Sequence, residues 1–187
     1  MATTTETAKV GQPAPDFDMA STKNVEKLNE NVKLSDYKGK WLVLLFYPLD
    51  FTFVCPTELT TFSDRYEDFE GIGAEVIGVS TDSVFSHRAW LQTARDKGGV
   101  EGLRYPLASD QTKDVSRAYG VLIEQQGIAL RGLFVIDPEG VLRYAVIHDL
   151  NVGRSAEETL RVIQALQTGG LCQADWKPGQ KTLSAGA

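Results

Sequence analysis

Cys55 and Cys172 are the side chains in this sequence that combine nucleophilicity with reversible oxidation, and 117 residues separate them. That spacing excludes the Cys-x-x-Cys pair of a zinc ribbon or a thioredoxin-type dithiol. With His87 and His148 the only histidines, no four-ligand metal site is expected. Three possibilities remain: two inert thiols, one structural disulfide, or a reactive cysteine. Compartment weighs on the choice. Residues 1–10 have neither an apolar signal core nor the arginine-rich character of a transit peptide, and they read as a short disordered lead-in. The longest apolar run, Trp41 to Tyr47, has seven residues, against the roughly 20 that cross a bilayer. A soluble, cytoplasmic chain without membrane contact is the expectation. In a reducing cytosol a disulfide is more often transient than structural, which shifts weight toward reactive cysteine.

The elements around Cys55 give it a position. The run Trp41-Leu-Val-Leu-Leu-Phe-Tyr47 is continuously apolar, as in a strand covered on both faces, and Pro48 ends it. From Pro56 to Glu70 the residues Leu59, Phe62, Tyr66 and Phe69 fall at spacings of 3, 4 and 3, one helical stripe stopped by Gly71 and Gly73. Cys55 therefore lies between a buried strand and an amphipathic helix, where open α/β sheets place their sites. Pro56 suits a first helical position, which puts Cys55 at or beside the N-cap, among unpaired N–H groups at the positive end of the helix dipole. Both features favour a thiolate over a thiol. A free cysteine with a pKa of about 8.5 is ~3 % ionised at pH 7, so full ionisation gains at most roughly 30-fold. Nucleophilicity falls with pKa, and a shift of two or three units returns about tenfold or more of that gain. Donors aimed at the leaving group, worth roughly 3 to 4 kcal/mol each, must do the rest.

Further along, Asp16 to Leu34 reads as an irregular hairpin, Glu75 to Val79 as a strand and Ser83 to Lys97 as a helix. Thr112 to Tyr119 reads as a short helix, Leu133 to Asp137 and Val141 to Ile147 as strands joined by a turn at Pro138-Glu-Gly140. A last helix opens with the capping-box pattern Ser155-Ala-Glu-Glu158 and carries Leu160, Ile163 and Leu166 on one stripe. This order predicts an α/β, thioredoxin-like fold: a central mixed sheet flanked by helices, with an N-terminal hairpin extension. A single domain with a core from about residue 10 to 168 is expected, followed by a loose Gly- and Pro-rich tail, 169–187, that carries Cys172. The 187 residues are 42 % hydrophobic and 24 % charged, ordinary globular usage. The net charge of −6 without a basic run argues against nucleic acid or an acidic membrane as partner.

The string Phe46-Tyr-Pro48-Leu-Asp-Phe-Thr52-Phe-Val-Cys55-Pro56-Thr-Glu58 closely resembles the Pro-x-x-x-Thr-x-x-Cys motif of the peroxiredoxins. Asp36-Tyr-Lys-Gly-Lys-Trp41, Val79-Ser-Thr-Asp82-Ser, His87-Arg-Ala-Trp90, Arg131-Gly-Leu-Phe-Val-Ile-Asp-Pro138 and the late Cys172 occur in the order of the typical two-cysteine branch. The likeness runs from about Val10 to Trp176. It implies a thiol-dependent peroxidase that reduces hydrogen peroxide and organic hydroperoxides and needs no cofactor or metal. Cys55 would be the peroxidatic thiolate, oxidised to sulfenic acid, and Cys172 the resolving cysteine of a partner subunit. Thr52 would set its hydroxyl near the sulfur and the peroxide, Pro48 would shield the pocket, and Arg131, before a strand, would bring charge and donors. Glu58 and Arg154 would orient that arginine.

The same resemblance implies reduction by thioredoxin or a flavoprotein reductase, a homodimer and a ring of five dimers, and a first helical turn that unwinds during the cycle. Two departures from the overoxidation-prone members, the altered loop Gly98-Gly-Val-Glu-Gly102 and a tail without Tyr-Phe, imply a robust enzyme. His87 and His148 are read as structural, and Thr61 stands where a phosphatase-type Cys-x5-Arg loop needs arginine. A peroxide sensor or a ring-forming chaperone would carry the same residues.

Overall fold

The computed structural model describes residues 7–184, so most of the predicted lead-in, residues 1–6, and the last three residues lie outside the described residues. The elements in chain order are β1 (Asp18–Ser21), β2 (Asn31–Lys33), β3 (Trp41–Phe46), α1 (Val54–Asp64), α2 (Tyr66–Gly71), β4 (Ala74–Ser80) and α3 (Val84–Leu91). They continue with β5 (Leu107–Ser109), α4 (Asp114–Ala118), β6 (Leu122–Ile123), β7 (Ile128–Ala129), β8 (Arg131–Ile136), β9 (Leu142–His148) and α5 (Ala156–Gln167).

Seven strands form one mixed sheet in the order β2-β1-β5-β4-β3-β8-β9. Strand β3 is parallel to β4 and antiparallel to β8, and both faces of this centre are covered. Alternation along β3 divides the core: Val43, Leu45 and Tyr47 pack with Leu59, Phe62 and Phe69 of the first two helices and Leu160 and Ile163 of α5. Leu42, Leu44 and Phe46 pack on the opposite face with Ile77, Phe134, Val115 and Tyr119. The expected thioredoxin-like mixed sheet with helices on both faces is present. The predicted N-terminal hairpin is β1 with β2, joined to the sheet through β5.

Several expectations are corrected. The stripe from Leu59 to Phe69 is buried as predicted, but it crosses two helices, with a break at Arg65 (φ −100°, ψ 12°). Apolar spacing continues across the break, so periodicity alone cannot reveal it. Helix α3 stops at Leu91 rather than near Lys97, and the chain folds back so tightly that a Cβ on Gly99 would lie 1.9 Å from the Thr93 carbonyl oxygen. The Trp90 indole N–H donates to the Gly98 carbonyl at 2.8 Å and fixes that return. The capping box of α5 is half formed: the Ser155 hydroxyl accepts from the Glu158 N–H, while the Glu158 carboxylate pairs with Arg161. Arg131 is the first residue of β8 rather than preceding it. The small hairpin of β6 with β7 had no sequence signal.

The described part of the tail, residues 169–184, is mostly exposed and is held to the rest of the chain at a few points. Trp176 is buried, Arg161 donates to its carbonyl at 3.0 Å, and Leu183 bridges to Leu171. Among the described residues no helix is long and apolar enough to cross a membrane.

Candidate active site

Strand β3 ends at Phe46, and buried Pro48 directs the chain into the turn that leads to α1. Val54, Cys55 and Pro56 are the first three residues of that helix, so Pro56 stands third rather than first. The position still suits proline, because a first-turn N–H has no intrahelical acceptor. Cys55 is fully buried in the core layer between α1 and the sheet.

One helical turn beyond Cys55, Glu58 points back beside it, as i,i+3 geometry requires. Arg131 enters from β8, two strands of the sheet centre bringing it over the start of α1. Its Nη1 donates to Cys55 Sγ at 3.4 Å and to Glu58 Oε2, and its Nε donates to the Leu150 carbonyl at 2.7 Å. Arg154 closes the group from the residue before the Ser155 cap. Its backbone N–H and Nε each donate to Glu58 Oε1 at 2.8 Å, and its Nη1 donates to the carbonyls of Phe46 (2.6 Å) and Gly132 (2.5 Å). Glu58, Arg131 and Arg154 are 3 %, 3 % and 6 % exposed, so these contacts act in a low-dielectric interior. Burial pushes the Arg154 guanidinium below its ordinary value, against the pull of Glu58.

The charges decide what the cluster can hold. Two guanidiniums face one carboxylate, which leaves one positive charge unbalanced, and Arg131 already directs one N–H at the Cys55 sulfur. An anion at that sulfur, or on an oxygen departing from it, completes the balance. Buried cationic donors of this kind stabilise charge that develops during a reaction.

Four of the seven residues singled out in the sequence, Cys55, Glu58, Arg131 and Arg154, are thus brought together. Thr52 is half-buried, and its hydroxyl donates to the Leu49 carbonyl at 2.9 Å, an arrangement that closes the turn. Pro48 lies buried at the strand end. Cys172 is elsewhere. It is half-buried beyond the C-terminal end of α5, where its Sγ donates to the Ala165 carbonyl (3.7 Å) and lies 3.5 Å from the Thr168 hydroxyl. The 12 residues of α5 span about 18 Å, so Arg154 and Cys172 stand at opposite ends of that helix. Both cysteines are free thiols. Sequence reading missed the carbonyls of Leu150, Phe46 and Gly132 that grip the two arginines, because a backbone acceptor leaves no mark on residue type. Among the described residues, no group of three or more His, Cys, Asp or Glu side chains is arranged to hold a metal ion.

Comparison with known proteins accords with this geometry. The AhpC/TSA family model matches residues 10–145. The chain is 58 % identical over 179 residues to the chloroplastic 2-Cys peroxiredoxin BAS1 of Hordeum vulgare, covering 93 % of this chain and 84 % of the relative. The structure of reduced Plasmodium vivax 2-Cys peroxiredoxin superposes with a TM-score of 0.86 at 37 % identity, covering 92 % of this chain and 91 % of that one. Enterococcus faecalis AhpC superposes with a TM-score of 0.80 at 35 % identity, covering 86 % and 93 %. The chain belongs to the AhpC/TSA family and is a peroxiredoxin, a thiol-dependent peroxidase.

Proposed function

We propose that Cys55 is the peroxidatic residue and that the enzyme reduces hydrogen peroxide and organic hydroperoxides to water and alcohols. The observation that carries this is the Arg131 guanidinium, held by Glu58 and Leu150 with one N–H on Cys55 Sγ. The Cys55 thiolate attacks the terminal peroxide oxygen, the O–O bond breaks, and the departing oxygen takes a proton and leaves as water or alcohol. The sulfur becomes sulfenic acid. Arg131 follows the negative charge from sulfur to departing oxygen, Glu58 and Arg154 fix its orientation, Thr52 directs the peroxide, and Pro48 keeps water from the pocket.

Cys172 of a second subunit then attacks the Cys55 sulfur. The S–S bond forms, the S–O bond breaks, and the hydroxyl leaves with the Cys172 proton as water. Within one chain α5 separates the two regions by about 18 Å, whereas bridged cysteines bring their Cα atoms to roughly 4.4–6.8 Å. That supports pairing between subunits. Because Cys55 is fully buried, the first turn of α1 must open for this step. Strand β9 is the last of the sheet, and beyond the Gly11–Gln12 segment, which bonds at Leu142, no described strand covers its outer edge. An open edge suits a homodimer, and a ring of five dimers is the larger assembly in this reading. Thioredoxin or a flavoprotein disulfide reductase returns the disulfide to thiols.

The test is sulfenic acid trapping. The Cys172→Ser chain, treated with one equivalent of hydrogen peroxide and dimedone, is expected to carry the adduct on Cys55. An adduct elsewhere, or undiminished peroxide consumption by Cys55→Ser with a thioredoxin system, overturns the assignment.

A further inference from the structure

The turn between β3 and α1 is anchored at one point by a buried polar couple that the reaction scheme leaves unused. Asp50 Oδ1 accepts from the Tyr47 hydroxyl at 2.8 Å, and Oδ2 accepts from the Ser86 hydroxyl at 2.7 Å. His87 Nδ1 lies 2.8 Å from the same Oδ2, with the His87 and Asp50 side chains 0 % and 2 % exposed. The other ring nitrogen, Nε2, faces the Ala108 carbonyl at 3.2 Å. The Asp50 backbone is tied as well: its N–H donates to Asp82 Oδ2 at 2.8 Å, and the Ser80 hydroxyl donates to that oxygen at 3.0 Å. Backbone and side chain of one residue are thereby fastened to the segment from the end of β4 into α3.

The residues immediately after Asp50 need that fastening. Phe51 has φ +54°, a left-handed conformation that is strained for an aromatic residue and persists only where neighbours over-determine it. Phe51 is itself 53 % exposed, and its ring meets one buried neighbour, Trp90, at 6.0 Å between centroids, so that contact and the ties at Asp50 hold the conformation together. Thr52 comes next, its hydroxyl returned to Leu49, and Cys55 lies within the first turn of α1. Arg131 pins the helix side of this turn and Asp50 pins the strand side.

We propose that Asp50 and His87 are positioning residues for the oxidation of Cys55, holding the turn that presents Thr52 and the first residues of α1. The inference rests on Cys55 being the attacking thiol. It also separates the two half-reactions: peroxide attack needs the turn held, whereas disulfide formation needs it to open.

The two nitrogens of His87 can be tested apart. Asparagine places an amide near the Nδ1 position and can still reach Asp50, while glutamine places one near Nε2 and can reach only Ala108. Stopped-flow fluorescence of the pre-reduced full chain, mixed with hydrogen peroxide, resolves a peroxide-dependent oxidation phase and a peroxide-independent disulfide phase. His87→Gln is expected to oxidise tenfold or more slowly, and His87→Asn within about threefold of wild type. Ser86→Ala, which removes one donor from a half-buried position and leaves Tyr47 and His87 on the Asp50 carboxylate, is expected to slow oxidation about threefold to tenfold, a part of the full effect of a hydrogen bond to a charged group. None of these slows the disulfide phase.

A core-filling histidine predicts otherwise: Asn and Gln would then lose rate in step with thermal stability, and both phases would slow. Equal oxidation rates for the Asn and Gln variants, or a wild-type rate for Ser86→Ala, overturns the proposal. If circular dichroism shows both His87 variants unfolded, Ser86→Ala decides alone. Cys55→Ser in the same assay keeps the two readings distinct, because a surviving oxidation phase there sinks the role of Cys55 rather than the anchor.

Discussion

Replacing Arg131 by lysine keeps a positive charge beside Cys55 and removes the fork that aims it. The arginine uses Nε on the Leu150 carbonyl at 2.7 Å while Nη1 serves both Glu58 and the sulfur, 3.4 Å away. Lysine has one terminal nitrogen and cannot occupy both positions, so pairing with Glu58 leaves the sulfur or the Leu150 carbonyl without its donor. Hydrogen bonds to charged groups are worth about 1.5–3 kcal/mol, which at about 1.36 kcal/mol per tenfold corresponds to roughly 10- to 100-fold in rate. Arg131→Met removes the donor and the charge together. Deleting a single donor to a developing oxyanion costs about 10²–10³ in rate, and that is the loss expected here. The assay is the second-order rate constant of Cys55 oxidation by hydrogen peroxide, followed by tryptophan fluorescence, with thermal midpoints measured in parallel. Glu58 keeps both bonds from Arg154 in either variant, so the fold is expected to survive. An Arg131→Lys rate within threefold of wild type refutes the need for the fork. An Arg131→Met rate that close removes the arginine from the reaction altogether.

Three other regions of the molecule carry their own expected outcomes. Burial pushes the Glu75 carboxyl up, but the Lys40 ammonium and the Tyr66 hydroxyl, each 2.7 Å away, outweigh it and hold the group below its ordinary value. A depressed carboxyl contributes stability above its unfolded pKa and loses it as pH falls through the folded one. The thermal advantage of wild type over Glu75→Gln is therefore expected in full at pH 7 and to shrink as pH falls below about 4.3; a constant difference down to pH 3 contradicts it. Gly132→Ala would set a Cβ 2.5 Å from Val121 Cγ1 and 2.8 Å from the Phe134 ring, on the residue whose carbonyl holds Arg154. Urea unfolding is expected to show a loss of about 1–3 kcal/mol, and no loss means the neighbours give way freely. With an altered Gly98–Gly102 loop, Cys55 is expected to remain reducible at low micromolar peroxide. Accumulation of Cys55 sulfinic acid there counts decisively against that expectation.

Much of this site was legible because it rests on local pattern. The apolar run of β3, the stripe of α1 and the proline beside Cys55 set the cysteine at a strand-to-helix junction without reference to distant residues. Arg131 was different. Nothing in one arginine marks it as buried, and only the string after it carried the resemblance; its burial comes from Glu58 and Leu150, which lie 73 residues before and 19 residues after it. The break at Arg65 stayed hidden because apolar spacing continues through it. The end of α3 depends on Gly99 meeting the Thr93 carbonyl, a contact without period. The described tail is held by the buried Trp176 ring, the Arg161 bond to its carbonyl and the Leu171–Leu183 bridge, and such isolated contacts make no pattern. His87, read as structural, does sit in the core, but its partner Asp50 is 37 residues away and no spacing rule joins them.

The central claim is that one peroxide equivalent ends as a bond between Cys55 of one subunit and Cys172 of another. Reduced protein treated with one equivalent of hydrogen peroxide per chain, run on a non-reducing gel and digested for mass spectrometry, tests it directly. The expected result is a dimer band in wild type that yields the linked Cys55 and Cys172 peptides, absent from Cys55→Ser and from Cys172→Ser. A wild-type band that remains monomeric after the peroxide is consumed contradicts the intersubunit mechanism.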